Sequence, residues 1–209
     1  MIRGVIFDYD GVICDSFVQS ANANRAVMRH FGLKFSLTLF REHHVDWREF
    51  YRMSGVQEKL IESIPSIWNA EMKKQEHAKY YTGIPIAIRE LARSRKLAIV
   101  SNNLESRICD DLKRNRLLGV FGAIIGYETG AGRLKPDPAS VKMAMKKLKI
   151  KPSETCLIGD THQDIETAKR AGIRCIAVTY GYQPRRMLDG ADTYARSPNE
   201  LAGIVEDLG

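Results

Sequence analysis

The sequence predicts an α/β protein in which a parallel sheet flanked by helices forms the core and an α-helical domain is inserted near its start. Three observations carry that prediction. A short apolar strand, Val5-Ile6-Phe7, runs directly into the acidic turn Asp8-Tyr9-Asp10-Gly11. From about Ser36 to Tyr81 the chain reads as helices only, with Leu37, Phe40, Phe50, Tyr51, Leu60, Ile61, Ile64, Ile67 and Trp68 supplying apolar faces and no alternating run between them. Beyond Thr82-Gly83-Ile84-Pro85, helix and strand patterns alternate to the end, as parallel strands joined by crossover helices do. Residues 1–15 and 82–209 are therefore assigned to the core and residues 16–81 to the insert.

The elements follow in order. After the first strand, Asp15 or Ser16 is placed to cap a helix running through Ala21, Ala26, Val27 and Phe31, and Gly32 stops it. Past the insert, a helix around Pro85 to Arg95 precedes the strand Leu97 to Val100, and a helix around Glu105 to Leu118 precedes Phe121 to Ile125. A third helix, Pro138 to Leu148, leads to the strand Thr155 to Ile158. A helix near Asp164 to Ala171, the strand Arg174 to Val178, a short edge strand near Asp192 to Ala195 and a helix from Pro198 complete the series.

Composition bounds the function classes. At 209 residues the chain suffices for one sizeable core plus a small accessory domain, and 44% hydrophobic with 27% charged residues is ordinary globular usage. Only Met1-Ile2 precede Arg3, and no apolar run reaches the ~18 residues of a membrane span, so a cytoplasmic protein without a membrane partner is expected. Cys14, Cys109, Cys156 and Cys175 are scattered without zinc-ligand spacing and read as reduced thiols, Cys156 and Cys175 as small core residues. The net charge of +7 is spread along the chain, so no nucleic-acid partner is expected; a solvated basic surface that attracts phosphorylated substrates accounts for it. Its densest patch, Lys146 to Lys151, falls at a helix end, where cations suit the dipole.

The acidic turn carries the chemistry. Alternate residues of an extended chain point the same way, so Asp8 and Asp10 face one site while Gly11 lets the backbone turn away. Two carboxylates at ~4 Å repel by about 4 kcal/mol at a surface-like dielectric, which calls for a bound cation or a retained proton. In an open α/β sheet, ligands bind beyond the carboxyl ends of the strands, where strand order reverses. The polar residues delivered there are Asp8 and Asp10, then Ser101-Asn102-Asn103, then Gly159-Asp160-Thr161 with Asp164. Lys135 joins them on the proline-stiffened segment Leu134-Lys135-Pro136-Asp137-Pro138. Asp160 and Asp164 also suit helix capping, and Ser101-Asn102-Asn103 suits a turn.

Taken in order, Asp8-x-Asp10-Gly11-Val12, Val100-Ser101-Asn102, Lys135-Pro136-x-Pro138 and Gly159-Asp160-Thr161-x-x-Asp164 resemble the motifs of the haloacid dehalogenase superfamily. The resemblance covers nearly the whole chain and points to the phosphoglycolate-phosphatase-like branch, with a Rossmann-like core and a small helical cap. It implies that Asp8 is a nucleophile forming an aspartyl-phosphate, and that Asp10 protonates the leaving alkoxide and then activates water. It implies Mg²⁺ as cofactor, held by Asp8, the backbone carbonyl of Asp10 and Asp160. Asp164 would stand behind them, holding a metal-bound water or orienting Lys135. Ser101 and the amides near Asn102 would bind the phosphoryl oxygens, with Lys135 neutralising their charge.

Within the family, Asp10 favours phosphoryl transfer over carbon–halogen cleavage, because a halide leaves without a proton. The related sugar-phosphate mutases carry a histidine about a dozen residues after the nucleophile, where this chain has Ser20 between Gln19 and Ala21. The expectation is a phosphatase acting on a small phosphorylated metabolite; a phosphomutase or a low-turnover phospho-ligand sensor are the alternatives. In the insert, Arg48 and Arg52 could recognise a carboxylate or second phosphate of the substrate, though a solvated helix explains them equally well; His43 and His44 could contact it but read better as exposed polar helix positions, and Trp47 and Trp68 read as insert core.

Overall fold

In the computed structural model, which describes residues 1–75, 77–130 and 133–208, every strand expected from the sequence joins one sheet. The elements of the larger of two units are β1 (Gly4–Phe7), β2 (Cys14–Asp15), β3 (Lys79–Tyr80), β4 (Lys96–Val100), β5 (Ala123–Ile125), β6 (Thr155–Gly159), β7 (Arg174–Val178) and β8 (Thr193–Ala195). Its helices are α6 (Ile84–Leu91), α7 (Glu105–Arg114), α8 (Ala139–Leu148), α9 (His162–Ala171) and α10 (Leu201–Asp207). The smaller unit carries α1 (Phe17–His30), α2 (Leu37–His43), α3 (Trp47–Met53), α4 (Glu58–Ile61) and α5 (Ile64–Met72). The chain divides into Met1–Asp15 with Lys79–Gly209, and Ser16–Ala78.

The main sheet has the order β5-β4-β1-β6-β7-β8, all its pairs parallel. β1 lies between β4 and β6, and its residues Val5, Ile6 and Phe7 are wholly buried because both faces of the sheet are covered. Ile6 joins Val100, Ile125, Val141, Ala144 and Ala168 in the core under α8 and α9. By strand alternation Val5 and Phe7 serve the opposite face, where the Phe7 ring meets Phe121 edge-on. Helix α6 buries Ile84, Ala87, Ile88 and Leu91 at i, i+3, i+4, i+7 spacing, each large aliphatic group contributing about 1.5–3 kcal/mol. Phe7 pairs in register with Ile99 on one side and Ile158 on the other. Continued by one or two residues, that register brings Asp8, Ser101 and Asp160 out at one end of three adjacent strands.

Three local differences from the expectations have physical causes. The stretch to Tyr81 is not helical throughout: Lys79–Tyr80 pairs antiparallel with Cys14–Asp15 as a two-stranded ribbon. Two residues carry too little alternation to announce a strand, and their partners lie on the other side of the insert, Asp15 opposite Lys79 and Cys14 opposite Tyr80. Helix α7 stops at Arg114 rather than continuing to Leu118, because Arg116 adopts φ 55 and the chain turns to bury Leu117 before a short 3₁₀ turn at Leu118–Val120. The closing helix likewise begins as a 3₁₀ turn, Pro198–Glu200.

In the smaller unit, Phe40 packs against Phe17, Phe35 and Phe50 within a core that includes Val27, Met28, Ile61 and Ile64. Ser36 and Asp46 cap α2 and α3 by accepting from the amides of Leu39 and Glu49. Trp47 and Trp68 flank this core half-buried rather than forming it. Among the described residues no helix is long and apolar enough to cross a membrane. The four cysteines are free thiols, with Cys156 and Cys175 buried.

Candidate active site

Asp8 leaves β1 still in the sheet's hydrogen-bonding register, its amide donating to the carbonyl of Ile158 at 2.8 Å. Its carboxylate is buried, with Oδ1 accepting from the Tyr9 amide at 2.7 Å and Oδ2 lying 2.8 Å from Lys135 Nζ. The same ammonium donates to Asp164 Oδ1 at 2.6 Å, and Lys135 itself is only 6% exposed. A lysine this buried stays charged only if paired, and two carboxylates pair it. The lysine segment is fixed from behind, because the Lys135 amide donates to Asn102 Oδ1 at 2.8 Å.

Asp164 resolves both of its sequence readings at once. Thr161 is the N-cap of α9, accepting from the Asp164 amide, while Asp164 Oδ2 accepts from the Thr161 amide at 3.1 Å and from its hydroxyl at 2.6 Å. This reciprocal cap leaves Oδ1 for Lys135. Asp160 does not cap the helix. Its Oδ2 accepts from the amide of Tyr182 at 2.7 Å, and its Oδ1 is buried without any hydrogen-bond partner. Gly11 sits against this carboxylate at φ 82, and a Cβ there would lie 2.1 Å from Asp160 Oδ2, so turn geometry and space both exclude a side chain.

Asp10 is half-buried, and its Oδ2 accepts from Asn103 Nδ2 at 2.7 Å. Asn103 is held in turn: its Oδ1 accepts from the Leu104 amide at 2.8 Å and its own amide donates to Ser101 Oγ at 3.2 Å. The Ser101-Asn102-Asn103 turn is therefore also a brace, with Asn102 supporting the lysine and Asn103 the second aspartate.

Charge is unbalanced here. Asp8, Asp160 and Asp164 offer ligand oxygens all within 4.8 Å of one another, against the single ammonium of Lys135. Burial, and then the neighbouring Asp164, push the Asp8 carboxyl up to about 7 despite the opposing pull of Lys135. Burial, then Asp8 and Asp164, raise Asp160 as well. Burial opposes the charge on Lys135, but Asp164 and Asp8 outweigh it and hold the ammonium above its ordinary value. A lysine locked in its charged form and carboxyls that resist ionisation are two aspects of the same excess of acid. A hard divalent cation fits: the donors are all oxygens, and Asp160 Oδ1 is an unsatisfied buried acceptor that costs about 1–3 kcal/mol until something binds it.

Arg48 and Arg52 lie in the helical unit. Arg48 pairs with Glu62 at 3.1 Å and stacks on the Trp47 ring, while Arg52 forms a two-pronged pair with Glu58 at 2.8 and 2.9 Å. His44 packs its ring on Phe40.

Sequence reasoning missed three contributors. Thr161 was legible through its spacing to Asp164, the capping-box pattern. Asn103 stood in a quoted motif without a role. The amide of Tyr182 had no signal, since a backbone group carries no residue type.

Comparison with known proteins shows the family. The family model for haloacid dehalogenase-like hydrolases matches residues 5–178. A phosphoglycolate phosphatase of Aquifex aeolicus is 30% identical over 99% of this chain and 98% of its own length. One from Chromobacterium violaceum is 28% identical over 99% and 97%. A haloacid dehalogenase-like family hydrolase from Streptococcus pneumoniae shares the fold with a TM-score of 0.86 at 22% identity, covering 97% of this chain and 98% of the other.

Proposed function

The chain belongs to the haloacid dehalogenase-like hydrolases and is a phosphatase of that family, and from that premise we propose that it is Mg²⁺-dependent and releases phosphate from a small phosphorylated metabolite through an aspartyl-phosphate on Asp8. The observation that carries this reading is the buried Asp8 at the end of β1, 2.8 Å from a charged Lys135 and grouped with Asp160, whose Oδ1 is a buried acceptor without a hydrogen-bond partner.

The proposed roles are these. Asp8 attacks phosphorus, a bond forms between its carboxylate oxygen and phosphorus to give an acyl phosphate, and the bond to the leaving oxygen breaks. Asp10 gives its proton to that alkoxide and then takes one from the water that attacks the phosphoenzyme, which returns Asp8 and inorganic phosphate. Asn103 holds the Asp10 carboxylate through Oδ2 and so fixes its orientation for the transfer. Lys135 keeps a positive charge beside the phosphoryl oxygens, with Asp164 fixing the ammonium's direction. Ser101 Oγ and the neighbouring turn would receive a phosphoryl oxygen. Asp8, the Asp10 carbonyl and Asp160 would hold the Mg²⁺, which when bound offsets the repulsion between an anionic nucleophile and an anionic ester.

The names of the curated relatives support placing phosphoglycolate first among substrates, and a cytoplasmic location follows from that class of metabolite. The test is phosphate release from phosphoglycolate, sugar phosphates, nucleotides, pyrophosphate and an aryl phosphate, with Mg²⁺ or chelator and with Asp8→Asn beside the wild type. Metal-dependent release that is lost in Asp8→Asn is expected. Turnover that appears only with a bisphosphate activator would instead identify a mutase, and binding of phosphate without turnover a sensor.

A further inference from the structure

Beyond β7 the chain runs Thr179-Tyr180-Gly181-Tyr182-Gln183, a segment that none of the roles above uses. It meets Asp160 at several points. The Tyr182 amide donates to Asp160 Oδ2 at 2.7 Å. Gly181 passes so close that a Cβ would lie 2.3 Å from Asp160 Cβ and 2.6 Å from the carbonyl oxygen of Gly11, in the turn between Asp10 and Val12. The segment is anchored at both ends. The Tyr180 hydroxyl donates to the carbonyl of Val12 at 3.2 Å, and buried Gln183 accepts through Oε1 from the His162 amide at the start of α9, at 2.8 Å.

A carboxylate has two oxygens and one orientation. With Oδ2 accepting from the Tyr182 amide and Gly181 leaving no room for a side chain beside the Asp160 Cβ, the carboxylate is oriented, and its Oδ1 is buried with no hydrogen-bond partner. Nothing else the structure does with Asp160 requires that oxygen to be kept free. We propose that the Tyr180–Gln183 segment is the positioning device for the cation site: it locks the Asp160 rotamer so that Oδ1 is presented to the divalent ion, and Gln183 holds the segment to the helix that carries Asp164. This rests on the proposed Mg²⁺ site. Its chemical basis is that groups hydrogen-bonded behind a ligand set the ligand's direction, and their loss typically weakens metal binding by about 10–100-fold.

The test is direct cation binding to the purified whole chain, by calorimetry with Mg²⁺ and by the electron paramagnetic signal of free Mn²⁺, without substrate. Gly181→Ala pushes on Asp160 and on the Gly11 turn, and is expected to weaken binding at least tenfold. Gln183→Met removes the acceptor for the His162 amide at nearly constant volume, and is expected to weaken binding in the same direction by less. Gly203→Ala in α10, where a Cβ would meet nothing within 4 Å, is the control and is expected to bind as the wild type does. Circular dichroism confirms folding; should Gly181→Ala fail to fold, Gln183→Met decides alone. Wild-type cation affinity in a folded Gly181→Ala, or in Gln183→Met where that variant decides alone, overturns the positioning role while leaving the Mg²⁺ reading intact. Absence of Mg²⁺ and Mn²⁺ binding by the wild type overturns both.

Discussion

Replacing Lys135 by methionine keeps the length of the side chain and removes its charge from between two buried carboxylates. The ammonium lies 2.8 Å from Asp8 and 2.6 Å from Asp164. At an effective dielectric of 20 each pair is an attraction of roughly 6 kcal/mol, against which stands the several kcal/mol that burying an ammonium costs. Breaking a buried pair by deleting one partner leaves a net loss of about 3–5 kcal/mol, or roughly 6–20 °C in melting temperature for a chain of this size. The wild type and Lys135→Met are compared by calorimetric melting with chelator and with Mg²⁺. The variant should melt lower with chelator and gain more from Mg²⁺ than the wild type, since three carboxylates then lack any other counter-charge. Phosphate release should stay depressed by about 10²–10³-fold even where Mg²⁺ restores stability, because the ammonium's place beside the phosphoryl group is not refilled. A variant melting within about 2 °C of the wild type under both conditions would refute the assignment of a buried, doubly paired lysine.

Asp8→Asn should lower turnover on the order of 10⁴-fold or more, measured as phosphate release, yet melt no lower than the wild type in chelator, because it removes one charge from a site with too many. Asp160→Asn should raise the Mg²⁺ concentration for half-maximal activity by at least about tenfold, read from a metal titration at saturating substrate. Asn103→Ala frees the Asp10 carboxylate from its 2.7 Å hydrogen bond; a bond to a charged group is worth about 1.5–3 kcal/mol, so kcat should fall about 10–100-fold with KM nearly unchanged in steady-state kinetics.

The core of this protein was legible because parallel sheets buried on both faces announce themselves. Runs such as Leu97 to Val100 and Cys175 to Val178 are continuous apolar strands, and the polar residue after each marks the end that binds ligands. Asp8, Lys135, Asp160 and Asp164 could be grouped from three separate stretches for that reason. The braces could not. Asn103 reaches Asp10 across 93 positions, and Asn102 spends its side-chain oxygen on a backbone amide 33 positions away, distances over which spacing carries no signal. The Tyr182 amide and the lack of room at Gly181 are properties of the folded backbone alone. Arg48 and Arg52 carry a different lesson, since their charges find the partners Glu62 and Glu58 only in the folded helical unit.

The ribbon of Cys14–Asp15 with Lys79–Tyr80 ties together the two points where the chain leaves and re-enters the larger unit, Asp15 and Lys79 being directly opposed at about 5 Å. The 63-residue span from Ser16 to Ala78 is thereby a closed loop as far as the sheet is concerned. Its length never enters the register of β1 against β4 and β6. Evolution can therefore lengthen, shorten or exchange what hangs from this clasp, and an engineer can graft a different insert at Asp15 and Lys79, without touching a strand of the main sheet.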